Sequence, residues 1–239
     1  LIGLGCPEDK VTVFHLGVDL NNIKFVPRVL GSKNDEIKIL IAASFREKKG
    51  IPYAVEAVGR IMKSYPEINI SLTIIGDSNG RKEGEMEKRK IFKVIDRYQM
   101  KEKTRLLGYQ PHSAFISELY KNHIFLHPSV QALNGDTEGG APVSTIEASA
   151  SGMPVLSTFH CDIPGIIIDG KSGFLVKERD VSALQEKLKI LLTNSDLWEK
   201  MGREGRSHIE KNFDVKKQAE KLEEIYDEVL MRKTEKKGL

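Results

Sequence analysis

Two glutamates stand in the stretch "DTEGGAPVSTIEASASGMPVLST" (Asp136 to Thr158), among glycines, a proline and small side chains. Glycines and a proline at the start of a helix let a ligand approach the main chain and leave N–H groups free. Together with the helix dipole, those groups favour an anion such as a pyrophosphate. Gly139, Gly140, Ala141, Pro142, Val143 and Ser144 would form that cradle. Glu138 and Glu147 could accept hydrogen bonds from sugar or ribose hydroxyls. An ordinary tight strand-to-helix turn has the same composition, so the loop alone does not decide. At roughly 100° of rotation per residue, Val143, Ile146 and Ala150 share one helix face with Glu147 at its edge. A carboxylate there is wasted, paired, or aimed at a ligand. Pro142 suits the first helical turn and Gly152 the left-handed position past its end.

A second group is "SFREKKG" (Ser44–Gly50), where Arg46, Lys48 and Lys49 follow an apolar run. Arg offers a planar fork and Lys a compact charge, both suited to phosphate; a solvated turn would look the same. "GDSNG" (Gly76–Gly80) is a common polar turn, and His127, before Pro128, reads as structural. No His or Cys pair has metal-ligand spacing. "GLG" (Gly3–Gly5) lacks a third glycine and opens no helix, and no G-x-S-x-G occurs.

The 37 basic and 34 acidic side chains nearly cancel, leaving +3. With no aromatic–basic motif beside it, that balance argues against a nucleic-acid binder. A chain 40% hydrophobic and 30% charged can bury a sizeable core. Cys6 and Cys161 are expected as reduced thiols of a cytosolic protein. No apolar run approaches the ~18–20 residues that span a bilayer, and the first residues lack the features of a signal peptide. A start at Leu rather than Met is expected of a fragment.

These groups need elements to hold them. Apolar runs predict strands at "KVTVFH" (Lys10–His15), Ile37–Ser44, Ile68–Gly76, Thr104–Gly108, His123–Ser129, "PVLST" and Gly173–Val176. Amphipathic stretches between them predict helices, with a helical tail from "DVSALQEKLKILLTN" onward. Alternation of this kind gives an α/β, doubly wound, Rossmann-like parallel sheet covered on both faces. Such sheets bind ligands beyond the carboxyl ends of their strands. Ser44–Gly50, Gly76–Gly80, Gly108–Tyr109 and Asp136–Val143 all fall in post-strand loops.

Taken in order, "FHLGVDLNNIKFVP", "REKKG" with "YAVEAV", "LTIIGDS", "LLGYQP", "LYKNHIFLHPS", "EGGAPVSTIEASASGMPV", "GKSGFLV" and "NFDVKKQAEKLEEIY" resemble the retaining glycosyltransferases of family 4. The likeness is to the carboxyl-terminal, donor-binding half of their two-domain GT-B fold and covers nearly the whole chain. It implies that residues 1–20 end an N-terminal domain and form the linker. Residues 21–212 would be the Rossmann-like donor domain, and 213–239 a helix folding back toward the first domain. By the same likeness Lys49 would bind the donor's phosphates, and Glu138 would lie near the donor sugar's hydroxyls; Arg46, close by in the loop, would reach the same phosphate in place of the family's usual Arg. Glu147 would hold the ribose, Gly139 to Ser144 would line the sugar and diphosphate, and the Gly108–Tyr109 main chain would lie beside the base. No metal or other cofactor is implied; the nucleotide-diphospho-sugar is substrate.

Three departures stand out. Eight residues separate Glu138 from Glu147, one more than in the family's usual loop, so Gly139 could fill the first position instead. Ser44 stands where an Arg is usual, and Gly165 where a Glu is frequent. The resemblance implies transfer of a hexose from a UDP-, GDP- or ADP-sugar to an acceptor hydroxyl, with retention of configuration. The acceptor, a glycan or lipid-linked sugar, would be held mainly by the missing domain, in polysaccharide, envelope-glycan or glycolipid synthesis. The fragment alone would bind donor and be nearly inactive. A sugar-nucleotide epimerase, a glycan phosphorylase of the same architecture and a lapsed binding module are the competing readings. The basic end "MRKTEKKGL" allows peripheral contact with the inner face of a membrane; a solvated terminus is the plainer reading.

Overall fold

The computed structural model describes residues 1–32 and 35–235, with side chains described as far as 231 at the carboxyl end. Six strands alternate with helices: β1 Ile37–Ala42, α1 Ile51–Ser64, β2 Ile70–Ile75, α2 Lys82–Arg97, β3 Thr104–Leu106, α3 His112–Lys121 and β4 Ile124–His127. Then come α4 Val143–Ala150, β5 Val155–Thr158, the short α5 Ile163–Ile166, β6 Gly173–Val176, α6 Val181–Thr193, α7 Asp196–Asn212 and α8 Val215–Glu235. All neighbouring strands are parallel, in the order β3-β2-β1-β4-β5-β6. The winding reverses between β1 and β4, the switch point of a Rossmann-like sheet.

Strand periodicity sorts the core into two layers. Ile37, Ile39 and Ile41 of β1 pack with Val55, Val58 and Ile61 of α1, Ile91 of α2 and Leu188 of α6. Leu40 and Ala42 point the other way, into a cluster with Phe115 and Leu119 of α3, Ile146 of α4 and Ile209 of α7. Because successive residues face opposite sides, β1 must be apolar at nearly every position, and it is. Each such side chain contributes about 1.5–3 kcal/mol on burial. The outcome is a rigid platform whose carboxyl-end loops are held from both faces.

One expected strand is absent. Glu8–Lys10 is a 3-10 turn, and the residues from Val11 to Gly17 join no sheet. Alternation in "KVTVFH" supplies strand propensity, but a strand needs a free edge, and the sheet's edges are β3 and β6. The segment runs instead to Val18, whose N–H donates to Phe213 O at 2.8 Å and whose carbonyl accepts from Val215 N at 3.1 Å. The opening segment is thus pinned at the junction of α7 and α8.

Arg28 makes a second tie. Its guanidinium, almost wholly buried, donates to Asn122 O (3.0 Å), Leu119 O (2.8 Å) and Ser151 O (3.1 Å), carbonyls at the carboxyl ends of α3 and α4. Helix dipoles favour a cation there. Burial pulls the Arg28 pKa down to about 10, with partial compensation from Tyr120, so it stays charged at neutral pH. Both Cys6 and Cys161 are free thiols. Among the described residues no helix is long and apolar enough to cross a membrane. Of the basic end singled out above, residues 236–239 lie outside the described residues.

The switch point is tight. Gly50 has φ +62°, and a Cβ built on it would lie 1.9 Å from Pro128 O, so the loops after β1 and β4 meet there without room for a side chain. Gly50→Ala is expected to cost on the order of 1–3 kcal/mol through strain and overpacking. A urea-unfolding midpoint equal to that of the unchanged chain would contradict this.

Candidate active site

The loop after β1 turns once: Ser44 O accepts from Arg46 N (2.8 Å), and Glu47–Lys49 forms a 3-10 turn closed by Gly50 N–H on Glu47 O (3.0 Å). The loop after β4 is laced to it by Val130 N–H on Lys48 O at 2.8 Å. Three cations from the first loop then meet two carboxylates from the second. Arg46 Nη2 lies 2.5 Å from Asp136 Oδ2, and Lys48 Nζ lies 3.1 Å from Asp136 Oδ1 and 2.5 Å from Thr137 O. Lys49 Nζ lies 2.7 Å from Glu138 Oε2. Lys48 foremost, with Arg46, holds the Asp136 carboxyl below its ordinary range.

Exposure separates these pairs. The Arg46 side chain is 45% exposed, so its pair with Asp136 is screened and weak. Lys49 and Glu138 are 18% and 5% exposed, so removing either strands a charge away from water. Glu138 Oε1 also accepts from Ser129 Oγ (2.5 Å) and faces His127 Nε2 (3.3 Å). Burial alone would raise the Glu138 pKa, but His127 and Lys49 more than offset it and hold the carboxyl well below the usual range. Burial pushes the His127 pKa down, so a neutral imidazole donates its Nε2 proton to the carboxylate. Of the two positions weighed for the first acid, Glu138 is the one whose carboxylate meets Lys49. Gly139 takes φ +72°, a turn conformation, and brings no side chain.

Beyond that turn, Pro142 (φ −65°, ψ 120°) is the N-cap of α4 rather than its first residue, and among the described residues no side chain caps the helix. The first N–H groups of α4 are therefore left for another partner. Glu138 to Ala141, His15 and Asp162 help to line an open cleft of about 370 Å³ beside this end. Within α4, Thr145 to Ala150 are all buried, Glu147 included, whereas Val143 is exposed. The expected apolar stripe is thus too narrow a description: α4 lies between the sheet and α7 and keeps little free face. Glu147 is paired: its Oε1 lies 2.6 Å from Nε2 of His112, an exposed residue opening α3. Burial raises the Glu147 pKa, and the His112 contact only partly opposes that. His112 closes the loop that begins at Gly108 (φ +66°) and the exposed Tyr109, so this loop meets α4 through the Glu147 contact. Gly108 O in turn accepts from Gly76 N at 2.8 Å, placing the "GDSNG" loop alongside.

Sequence reasoning missed Asp136, His127, Ser129, His160 and His112 as parts of this site. The acid nearest in sequence to Glu138 was a legible signal, since a loop with three cations needs compensating charge. The histidines carried no such signal. Gly165 opens no contact to a built Cβ within 4 Å. Among the described residues no group of three or more His, Cys, Asp or Glu side chains is arranged to hold a metal ion.

A doubly wound sheet with charged and glycine-rich loops at its switch point defines an architecture, and comparison narrows the class. The family described as glycosyl transferases group 1 matches residues 22–208, and the chain belongs to that family. It is 35% identical to the amylovoran biosynthesis glycosyltransferase AmsK of Erwinia amylovora, over 77% of this chain and 42% of that protein. The fold matches the crystal structure of the C-terminal domain of a group 1 glycosyl transferase, LpcC of Francisella tularensis. There the TM-score is 0.66 at 20% identity, covering 83% of this chain and 100% of that one. It also matches HepE of Anabaena, solved in complex with UDP-glucose, with TM-score 0.78 at 16% identity over 95% of this chain and 60% of that one. The chain spans about two fifths of the length of the curated relatives it matches (43%, 43% and 42%).

The two glutamates should carry opposite pH signatures. With its pKa depressed by folding, Glu138 adds stability above about pH 4 that is lost as pH falls toward its folded pKa. Glu147, with its pKa raised, costs stability once ionised, a cost relieved as pH falls. In thermal melts at pH 7, Glu138→Gln should therefore melt below the parent chain and Glu147→Gln above it. The Glu147 difference should fade as pH drops toward about 4, and the Glu138 difference only below that; equal shifts of one sign at pH 7 would refute the assignment.

Proposed function

We propose that this chain is the donor-binding half of a retaining glycosyltransferase that moves a hexose from a nucleotide-diphospho-sugar to an acceptor hydroxyl. The observation that carries the reading is the Lys49–Glu138 pair, 2.7 Å apart, bridging the two loops of the switch point beside the uncapped start of α4. In this reading the diphosphate takes the N–H groups at the start of α4, with Lys49 and Arg46 as its cations. Charge that develops on the departing diphosphate meets donors already in place. Glu138 accepts from the sugar hydroxyls, Glu147 from the ribose, and the main chain at Gly108–Tyr109 flanks the base. No metal is needed in this scheme, because Lys49, Arg46 and the helix supply the positive potential.

HepE is named in complex with UDP-glucose, which supports a nucleotide-sugar donor of the UDP, GDP or ADP type here. AmsK is named for amylovoran biosynthesis, which supports a role in polysaccharide or envelope-glycan synthesis. The acceptor, a glycan or lipid-linked sugar, would be held mainly by a second domain. Work on such acceptors suits a protein at the cytoplasmic face of a membrane, touching it peripherally.

A thermal-shift screen of UDP, GDP and ADP and their glucose or mannose conjugates tests this. Ligand at a hundred times its dissociation constant adds about 2.7 kcal/mol to stability. One nucleotide class should raise the melting temperature of the parent chain and fail to raise that of Lys49→Ala. In the complete enzyme, Lys49→Ala should lower turnover by about 10²–10³-fold, the usual effect of losing one charge-stabilising group. No shift from any nucleotide with a folded chain would overturn the reading.

A further inference from the structure

We propose that His127, Ser129 and His160 are positioning residues that clamp Glu138, setting its carboxylate toward the donor sugar; the donor-facing part of this proposal rests on the function proposed above. The clamp grips Glu138 twice. Ser129 Oγ donates to Oε1 at 2.5 Å, and His127 Nε2 faces the same oxygen at 3.3 Å. The main-chain N–H of Glu138 donates to His160 Nε2 at 3.2 Å.

The tautomers follow from these partners. An N–H needs an acceptor, so His160 Nε2 is unprotonated and Nδ1 carries the hydrogen. Nδ1 meets Glu178 Oε1 at 2.7 Å, and the other oxygen of Glu178 accepts from Gln131 N at 2.8 Å. Cys161 Sγ, 3.2 Å from His160 Nε2, faces the same acceptor nitrogen. His127 is the converse, its Nε2 proton turned to a carboxylate. Groups at the ends of β4 and β5, the latter backed by Glu178 after β6, thus converge on one residue of the β4–α4 loop.

The core gives no reason for this expense. His127, 1% exposed, stacks on Phe125 at 5.9 Å between ring centroids, a place an apolar side chain would fill without desolvating an imidazole. The loop itself offers the reason: Gly139, turned at φ +72°, follows Glu138 and brings no side chain to brace it. The carboxylate is held from the side by Ser129 and His127, and the main chain by His160.

The test replaces His127 by Leu, which keeps bulk without a donor, and by Gln, which returns an N–H near the Nε2 position. Binding is measured with UDP and UDP-glucose, GDP and GDP-mannose, and ADP and ADP-glucose, using whichever pair stabilises the parent chain. His127→Leu should weaken the nucleotide sugar about tenfold, as expected for a lost bond to a charged group, and leave the parent diphosphate nearly unchanged. His127→Gln should recover most of the loss. Equal weakening of both ligands, or of neither, would overturn the sugar-facing clamp. In ligand-free chain labelled with ¹³C-glutamate, His127→Leu should also raise the Glu138 carboxyl titration midpoint, and an unmoved midpoint would overturn the clamp itself. If no nucleotide binds the parent chain, the donor reading falls and the titration alone judges the clamp. Should His127→Leu not fold, Ser129→Ala removes the shorter bond at small cost in volume and is read the same way.

Discussion

A parallel sheet that winds outward in both directions from its middle has one place where adjacent loops lead to opposite sides, and here it lies between β1 and β4. The structure closes that gap with charge. Lys49 and Glu138, 89 residues apart in sequence, form a mostly buried pair across it. Burying two charges repays its desolvation only when geometry and extra hydrogen bonds are good. That condition explains why Ser129, His127 and the main-chain tie to His160 surround the acid, and why glycine stands at position 50, where the loops touch.

The same arrangement keeps the site ready. Arg46, Lys48 and Lys49 outnumber Asp136 and Glu138 by one, and the uncapped start of α4 adds a partial positive charge. The cations are held at fixed distances by acids rather than left on loose chains, so a diphosphate bound as proposed would meet an ordered field instead of having to build one. The exposed pair, Arg46 with Asp136, is the weaker and can rearrange at small cost, whereas the buried pair cannot. The cleft thus combines a fixed floor with an adjustable rim.

Most of the fold was legible because strand and helix periods are local. The runs at Ile37 and His123 are apolar at nearly every position, as a doubly covered sheet requires, and the run at Ile68, polar at Asn69, Ser71 and Thr73, ends in the apolar Ile74–Ile75. "KVTVFH" misled for the complementary reason: its pattern is local, but a strand needs a neighbour, and that segment is held instead through Val18 at the end of α7. Within the site, loops could be placed from sequence because they follow strands. Partners could not. The pairing of Glu147 with His112 joins the middle of α4 to the start of α3, 35 residues apart, and His160 reaches Glu138 across two strands' loops. A buried neutral histidine looks like any other histidine until the carboxylate it serves is beside it.

The most direct measurement is a crystal structure of this chain soaked with the nucleoside diphosphate that stabilises it. The diphosphate is expected at the N–H groups opening α4, within hydrogen-bond distance of Lys49 Nζ, with the ribose at Glu147. A larger hollow of about 680 Å³, lined in part by Lys63, Arg97 and Lys103, offers an alternative basic site at the amino ends of the strands. A nucleotide lodged there, with the α4 cradle empty, would contradict the account.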